Sequence, residues 1–415
     1  MKKTKDEALK NEDNIREVIV ERKTGFNIIE VIIIIIISIV FGIIVGRFIN
    51  IGKGGSISKY SSGDLSEFIN TYYNIVDNYY ESVDKDKLIN AAIEGMVNSL
   101  GDKHSLYMNE KETEAFEETV DGQYVGIGAI VSNIDGSNQI LGMFSKSPAE
   151  KAGLQVGDIF LKVDDKDVSN LKIDEVTTLI KGEEGTSVNI VISRNGEELS
   201  FDIVRESIDI PSVVSEIIES DNSKIGYVTI SNFASNTYSQ FNKEIKDLEK
   251  KNIDSLVIDL RNNPGGHLDQ VTKMISMFLP KSKVIYQLYN KGIKTPVYSK
   301  TNEKRSYPVA IIINGGSASA SEIMAASFKE SYKNSYIVGT KSYGKGTVQH
   351  FYDLSSGASF KFTVEEWLSP LGNSIDGNGI TPDFEIELDE GYYSNPVKEN
   401  DNQLQKALEV LKEKK

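Results

Sequence analysis

Residues 309–322 read VAIIINGGSASASE: an apolar run from Val309 to Ile313, a turn at Asn314-Gly315-Gly316, then three serines leading into helical sequence. A short, β-branched apolar run bounded by turn residues predicts a buried strand. The same grammar occurs earlier in the chain. Leu256-Val257-Ile258 closes on Asn262-Asn263-Pro264-Gly265-Gly266, and a helix is expected from there to Phe278. Buried strands alternating with helices predict an α/β unit from about residue 224.

Toward the C-terminus, the polar stretch Lys398 to Asn402 separates that unit from a last helical segment, Gln403 to Lys415. Toward the N-terminus, residues from about 120 to 207 hold short β-type runs between glycines. Val188 to Ile192 is mostly β-branched, and Leu199, Phe201 and Ile203 alternate with polar neighbours, so both read as strands. From Leu65 to Leu100 apolar residues recur at helical spacing, with Leu100-Gly101-Asp102 as the stop. Gly52 to Gly63 is a Gly/Ser-rich tether. Ile28 to Ile49 carries only Glu30 and Arg47 as charges, one near each end, and is long enough to cross a bilayer. No small-residue cleavage pattern follows, so an uncleaved anchor is expected. Seven Lys/Arg precede the span, against Arg47, Lys53 and Lys59 in the stretch 47–62, which predicts a cytoplasmic tail and an extracytoplasmic remainder.

Over 415 residues, 46 Lys+Arg face 61 Asp+Glu, a formal charge of -15. The charges of residues 1–46 cancel, so the whole deficit lies on residues 47–415. No basic surplus exists to displace counterions from phosphate, which excludes non-specific nucleic-acid binding. With no Cys and three His, disulfides, thiol nucleophiles and multi-histidine metal centres are excluded as well. A 39% hydrophobic chain of this length predicts two or three folded units.

Two stretches suggest a peptide-binding module. Tyr124-Val125-Gly126-Ile127-Gly128 precedes a strand, and the run from Ser147 to Ile159 reads SPAEKAGLQVGDI. A glycine-flanked loop can turn its N–H groups on a peptide carboxylate while the neighbouring strand edge pairs with the peptide. Together the two stretches resemble a PDZ domain of the bacterial protease type, and Tyr124, Val125, Gly126, Ile127 and Gly128 are its expected peptide contacts.

The serines of residues 317–321 stand where a strand passes into a helix. Unpaired N–H groups and the positive dipole end there suit an oxyanion. Ser319 and Glu322 also spell S-x-x-E, a capping box worth about 1 kcal/mol, so the residues alone leave cap and nucleophile both open. Residues 339–345 nearly complete a phosphate-binding GxxxxGK, but Gly346 stands where Ser or Thr would hold magnesium. The other use of Lys345 is as a general base. Burial disfavours the ammonium form, and a neutral amine can accept a serine proton without any histidine. Gln349, four residues on, could orient that amine. Beside such a nucleophile, the Gly265-Gly266 pair would supply one oxyanion donor and the Ala320 N–H the other.

These motifs, in this order, make residues from about 65 to 388 resemble the carboxy-terminal processing proteases, also called tail-specific proteases. The resemblance rests on LGDKHSLY at 100–107, the PDZ stretches, DLRNNPGG at 259–266, GSASASE at 316–322, GKGTVQ at 344–349 and SIDGNGITPD at 374–383. It implies Ser319 as nucleophile, Lys345 as base and Gln349 as helper, with no metal and no cofactor. It also implies an α/β crotonase-like protease core, and with the readings above the expected fold is that core with an inserted mainly-β PDZ domain, an N-terminal helical subdomain and one transmembrane helix. Expected segments are a cytoplasmic tail 1–27, anchor 28–49, linker 50–63, helical region 64–118, PDZ domain 119–207, protease core 208–390 and helical tail 391–415. Expected partners are protein or peptide substrates with apolar C-termini, the lipid bilayer, and a second copy, since the family dimerises through its terminal helical regions. The alternative is a catalytically silent PDZ scaffold on the cell surface. Three departures stand out: Lys181 where relatives often carry Arg, an extra residue around 331–335, and His267 in place of an apolar residue, expected at a surface or pocket edge.

Overall fold

The computed structural model describes residues 65–220, 223–302 and 305–413. The expected tail, span and linker lie outside them. Among the described residues no helix is long and apolar enough to cross a membrane.

The chain divides into two compact units, residues 1–85 and 86–415. Of the first, the helix Ser66–Asn78 is described; it buries none of its residues. The region of helical spacing to Leu100 holds two helices, the second being Lys85–Asn98.

The second unit is built on a six-stranded sheet. Its order is Val213–Ser220, Ser223–Ile230, Ser255–Asp259, Val309–Ile313, Ser335–Gly339 and Phe384–Glu385, parallel except for the first pair. Val309, Ile311 and Ile313 pack on one face with Phe241, Met274, Ile323 and Phe328 of the helices Thr237–Lys250, Leu268–Ser276 and Ala320–Ser331. Ala310 and Ile312 pack on the other with Leu404, Ala407, Leu408 and Leu411. A strand covered on both sides needs no polar alternation, which is why this run is wholly apolar. The helix on that second face is Asn402–Glu413, so the terminal helix expected as a separate tail closes the core.

Around residues 129–204 a second six-stranded sheet forms, antiparallel, in the order Ala129–Ile134, Ser137–Met143, Ile159–Val163, Ser187–Arg194 and Glu197–Val204, with Lys166–Asp167 paired to Ile159–Val163. Its core of Ile127, Ile140, Phe160, Val176, Ile190 and Ile192 is distinct from that of the α/β layer. An antiparallel ribbon of Gln123–Gly126 and Glu206–Asp209 closes the insertion at its base.

The sequence reading did not separate out a third sheet, in which Ser359–Leu368 pairs with Leu106–Met108, Val284–Asn290 and Thr347–Asp353, and Val284–Asn290 with Ile293–Tyr298. A bulge between Val348 and Gln349 sets Gln349 opposite Thr363. An extra residue of this kind re-aims the side chains beyond it.

Candidate active site

Three serines enter the helix Ala320–Ser331, and their surroundings tell them apart. Ser317 and Ser321 are buried, their hydroxyls donating to the carbonyls of Leu260 (2.8 Å) and Asn263 (2.9 Å). They stitch the elbow to the loop that follows strand Ser255–Asp259. Ser319 is half-buried, and no hydrogen bond caps the helix through its side chain. Its backbone is at φ 53, ψ -113, a region unfavourable to any residue with a β-carbon. The structure thus leaves the middle hydroxyl of the three uncommitted.

The loop that carries the glycine pair lies directly against this elbow. The Ala318 N–H donates to the Asn263 carbonyl at 3.0 Å. Gly265 has φ +104, and a β-carbon there would come within 2.7 Å of Ser319 Cβ and 3.0 Å of the Ala320 nitrogen. Only glycine permits that approach. The Gly265 N–H donates to Asn263 Oδ1 at 2.9 Å. Among the described residues the amides of Ala320 and Gly266 have no hydrogen-bond acceptor, so these two keep a free N–H. Arg261 holds the loop from behind, paired with Asp259 (2.6 Å) and with Asp401 (2.7 Å) beside the terminal helix. Burial works against the guanidinium charge, but those two carboxylates outweigh it and push its pKa up.

Glu322, which the sequence suggested only as a cap partner, is the junction of the site. It is fully buried, and its carboxylate accepts four hydrogen bonds. Oε2 takes the N–H groups of Ser319 (2.9 Å) and Lys345 (2.8 Å), while Oε1 takes the Ser342 hydroxyl (2.6 Å) and the Gly344 N–H (2.7 Å). One carboxylate therefore fastens the backbone of the serine elbow to the backbone of the lysine loop. Trp367 secures the same loop, donating Nε1–H to the Lys345 carbonyl at 2.8 Å. Asp376 accepts from the Gly346 N–H at 3.1 Å.

The Lys345 amine has no hydrogen bond or ion pair among the described residues. Burial, reinforced by Lys361, moves its pKa down, against the opposing pull of Asp102 and Glu322. No hydrogen bond joins Lys345 Nζ to Ser319 Oγ or to Gln349. The Gln349 Nε2 instead donates to the hydroxyls of Thr347 (2.9 Å) and Thr363 (3.2 Å). His267 is half-buried beside Ser235, with 3.1 Å between Nε2 and Oγ, at the start of its own helix. Among the described residues no acidic or histidine cluster could hold a metal.

The expected peptide contacts form a separate site. Tyr124, Ile127 and Gly128 line a cavity of about 110 Å³ with Ala129, Val131, Thr177, Ile180 and Lys181. Val125 and Gly126 lie in the ribbon, paired with Ser207 and Glu206, and do not line the cavity. Ala129–Ile134 is an edge strand, its far side unpaired in the sheet order. Lys181 donates to Glu118 and sits 5.4 Å from the Tyr124 ring centre, at the mouth of the cavity.

Residues 224–386 match peptidase family S41, residues 145–194 a PDZ domain, and residues 50–113 the activating protease CtpB N-terminal domain. The chain is 37% identical over 342 residues to the carboxy-terminal processing protease CtpB of Bacillus subtilis (strain 168), spanning 81% of this chain and 70% of that protein. It is 36% identical over 366 residues to the carboxy-terminal processing protease CtpA of the same organism, spanning 85% and 78%. A probable CtpA-like serine protease of Staphylococcus haemolyticus (strain JCSC1435) is 37% identical over 356 residues, spanning 85% and 71%.

Proposed function

Because the chain belongs to peptidase family S41, as one of its carboxy-terminal processing serine proteases, we propose that it cuts protein substrates near their C-termini with Ser319 as nucleophile and Lys345 as general base. The observation that carries this reading is the Glu322 carboxylate, which holds the Ser319 and Lys345 backbones on one oxygen. The serine whose hydroxyl is uncommitted and the lysine whose amine is unpaired are the two residues so joined.

Ser319 Oγ attacks the scissile carbonyl carbon as Lys345 Nζ takes its proton. The oxyanion settles on the N–H groups of Ala320 and Gly266, with Gly265 bringing the loop close enough. Lys345 returns the proton to the leaving amine, and water, deprotonated by the same nitrogen, releases the acyl group. A hydrogen bond absent from the resting site is compatible with this, since such bonds often tighten only around substrate. Gln349 orients the amine.

An apolar substrate C-terminus pairs as an added strand with Ala129–Ile134, its carboxylate on the loop Val125–Gly128 and its last side chain in the small apolar cavity. A volume of about 110 Å³ suits a side chain of aliphatic size. Residues 28–49 anchor the chain in the membrane, with the tail inside and both folded domains outside, and two copies associate through their terminal helical regions. The silent scaffold is disfavoured because Ser319, Lys345 and Gln349 are all present in a family of proteases. Full-length protein in detergent micelles, incubated with an unfolded protein and read by mass spectrometry, is expected to yield fragments cut near the C-terminus. An intact substrate would overturn the hydrolytic reading.

A further inference from the structure

In the sequence Leu100-Gly101-Asp102 marks the stop of the N-terminal helical region, yet Asp102 reaches into the candidate site. Asp102 Oδ2 accepts the hydroxyls of Ser105 and Thr363, each at 2.6 Å, and Oδ1 accepts the His104 N–H at 3.0 Å. Thr363 lies opposite Gln349 across the bulged ladder. A carboxylate can only accept, and a threonine hydroxyl has one proton. With that proton given to Asp102, Thr363 Oγ1 must act as acceptor toward Gln349 at 3.2 Å, so the group facing it is the NH2. The same NH2 reaches Thr347 Oγ1 at 2.9 Å. Both amide protons are then spent on hydroxyls, and Gln349 Oε1, which has no hydrogen bond among the described residues, is the end left over.

We propose that Asp102 is a positioning residue for the hydrolytic reaction: acting through Thr363, it fixes the direction of the Gln349 carboxamide so that Oε1, an acceptor, is the end offered to the Lys345 amine. This rests on the Ser319–Lys345 reading. Turned the other way, the carboxamide would offer N–H donors, which cannot hold a lysine amine by its own N–H. Asp102 is suited to the task because it stays ionised. Burial alone would raise its pKa, but the bonds from Ser105, Thr363 and His104 outweigh it and hold it at about 2. Its charge also faces Lys345, alongside Glu322; Lys361 faces the same amine with opposite effect, and His104, itself moved down by burial and by Lys345, lies nearby.

The test compares kcat, KM and the pH profile of full-length enzyme with those of Asp102→Asn, Thr363→Val, Thr363→Ser and Lys345→Met. Asp102→Asn is expected to lower kcat by about 10- to 100-fold with KM unchanged, the scale at which a small misplacement acts. Its acid limb should also move to lower pH, because a negative charge facing the amine is gone. Thr363→Val should lower kcat similarly while leaving the limb in place, since Asp102 is retained. Thr363→Ser keeps the hydroxyl and should stay near wild type. The proposal is overturned by kcat within about twofold of wild type in Thr363→Val or in Asp102→Asn, or by equal losses in Thr363→Ser and Thr363→Val, which would mean mere packing. Should Asp102→Asn fail to fold, the two Thr363 variants decide alone. Activity surviving in Lys345→Met would overturn the base assignment and this proposal with it. An inactive Lys345→Met beside an unaffected Thr363→Val would overturn the positioning role only.

Discussion

Among the described helices that start with a polar residue followed three positions later by glutamate, those at Asn109 and Ser319 spend the pattern differently. At Asn109 the box is complete: the Glu112 N–H donates to Asn109 Oδ1 at 3.1 Å and the Asn109 N–H to Glu112 Oε2 at 3.0 Å, on an extended backbone at φ -68. At Ser319 one half forms. Glu322 takes the Ser319 N–H, the backbone is forced to φ 53, and the hydroxyl does not cap. Glu112 is exposed, whereas Glu322 is buried and serves three further donors from the lysine loop. Once its carboxylate is committed to a second segment of chain, the capping pattern becomes a clamp and the serine is freed. Identical local grammar thus yields a helix cap in one place and a candidate nucleophile in the other.

The largest expected effect separates the two serine roles. Ser319→Ala should lower kcat by about six orders of magnitude, as loss of a serine nucleophile does. Its melting temperature should change by no more than a few degrees. Ser319→Gly should be equally inactive yet more thermostable, because glycine tolerates positive φ. Cleavage retained in either variant, followed with a peptide substrate, would remove Ser319 as the nucleophile.

Glu322→Gln should come next. An amide can satisfy the donors around one oxygen but sets N–H against the others, at a cost of about 1–3 kcal/mol for each buried group left unpaired. Denaturant unfolding should show that loss together with a collapse of activity, since serine elbow and lysine loop separate. The corresponding Glu112→Gln should leave activity intact.

The pH profile sharpens the comparison further. Lys345 must be neutral to accept a proton, and burial moves its pKa below the usual lysine range. The neutral fraction therefore grows with rising pH, and kcat/KM should fall about tenfold per pH unit once pH drops below that pKa. A profile flat down to about pH 4 would rule out the amine as base. The smallest effect is expected at the true cap, where Asn109→Ala should cost about 1 kcal/mol of stability by thermal melting and leave kcat unchanged.

Much of the architecture was legible because its signals are local. The runs 256–258 and 309–313 are apolar throughout since each strand is covered on both faces, and the PDZ strands Ser187–Arg194 and Glu197–Val204 betray themselves by β-branching and alternation. Helical spacing in the region 65–100 was legible from its apolar residues, and the structure divides it into Ser66–Asn78 and Lys85–Asn98. The helix Asn402–Glu413 looked like an appendage, since a polar linker hides which face of the sheet it will cover. Of the candidate site, Ser319, Lys345, Gln349 and the glycine pair were singled out by their motifs. Asp102, Thr363 and Ser342 were not, because their hydrogen bonds join segments separated by up to 261 residues in sequence.

What the sequence determined by itself is the set of parts: apolar strands, glycine turns, a PDZ insertion, and the motifs that single out a serine and a lysine as candidates, each encoded by residue type and short-range pattern. The tertiary structure decided their employment: which of three serines keeps its hydroxyl, which glutamate becomes a clamp rather than a cap, and which way a glutamine faces. The physical reason is that propensity and pattern act over a few residues, whereas the availability of a donor or acceptor depends on every group folded against it.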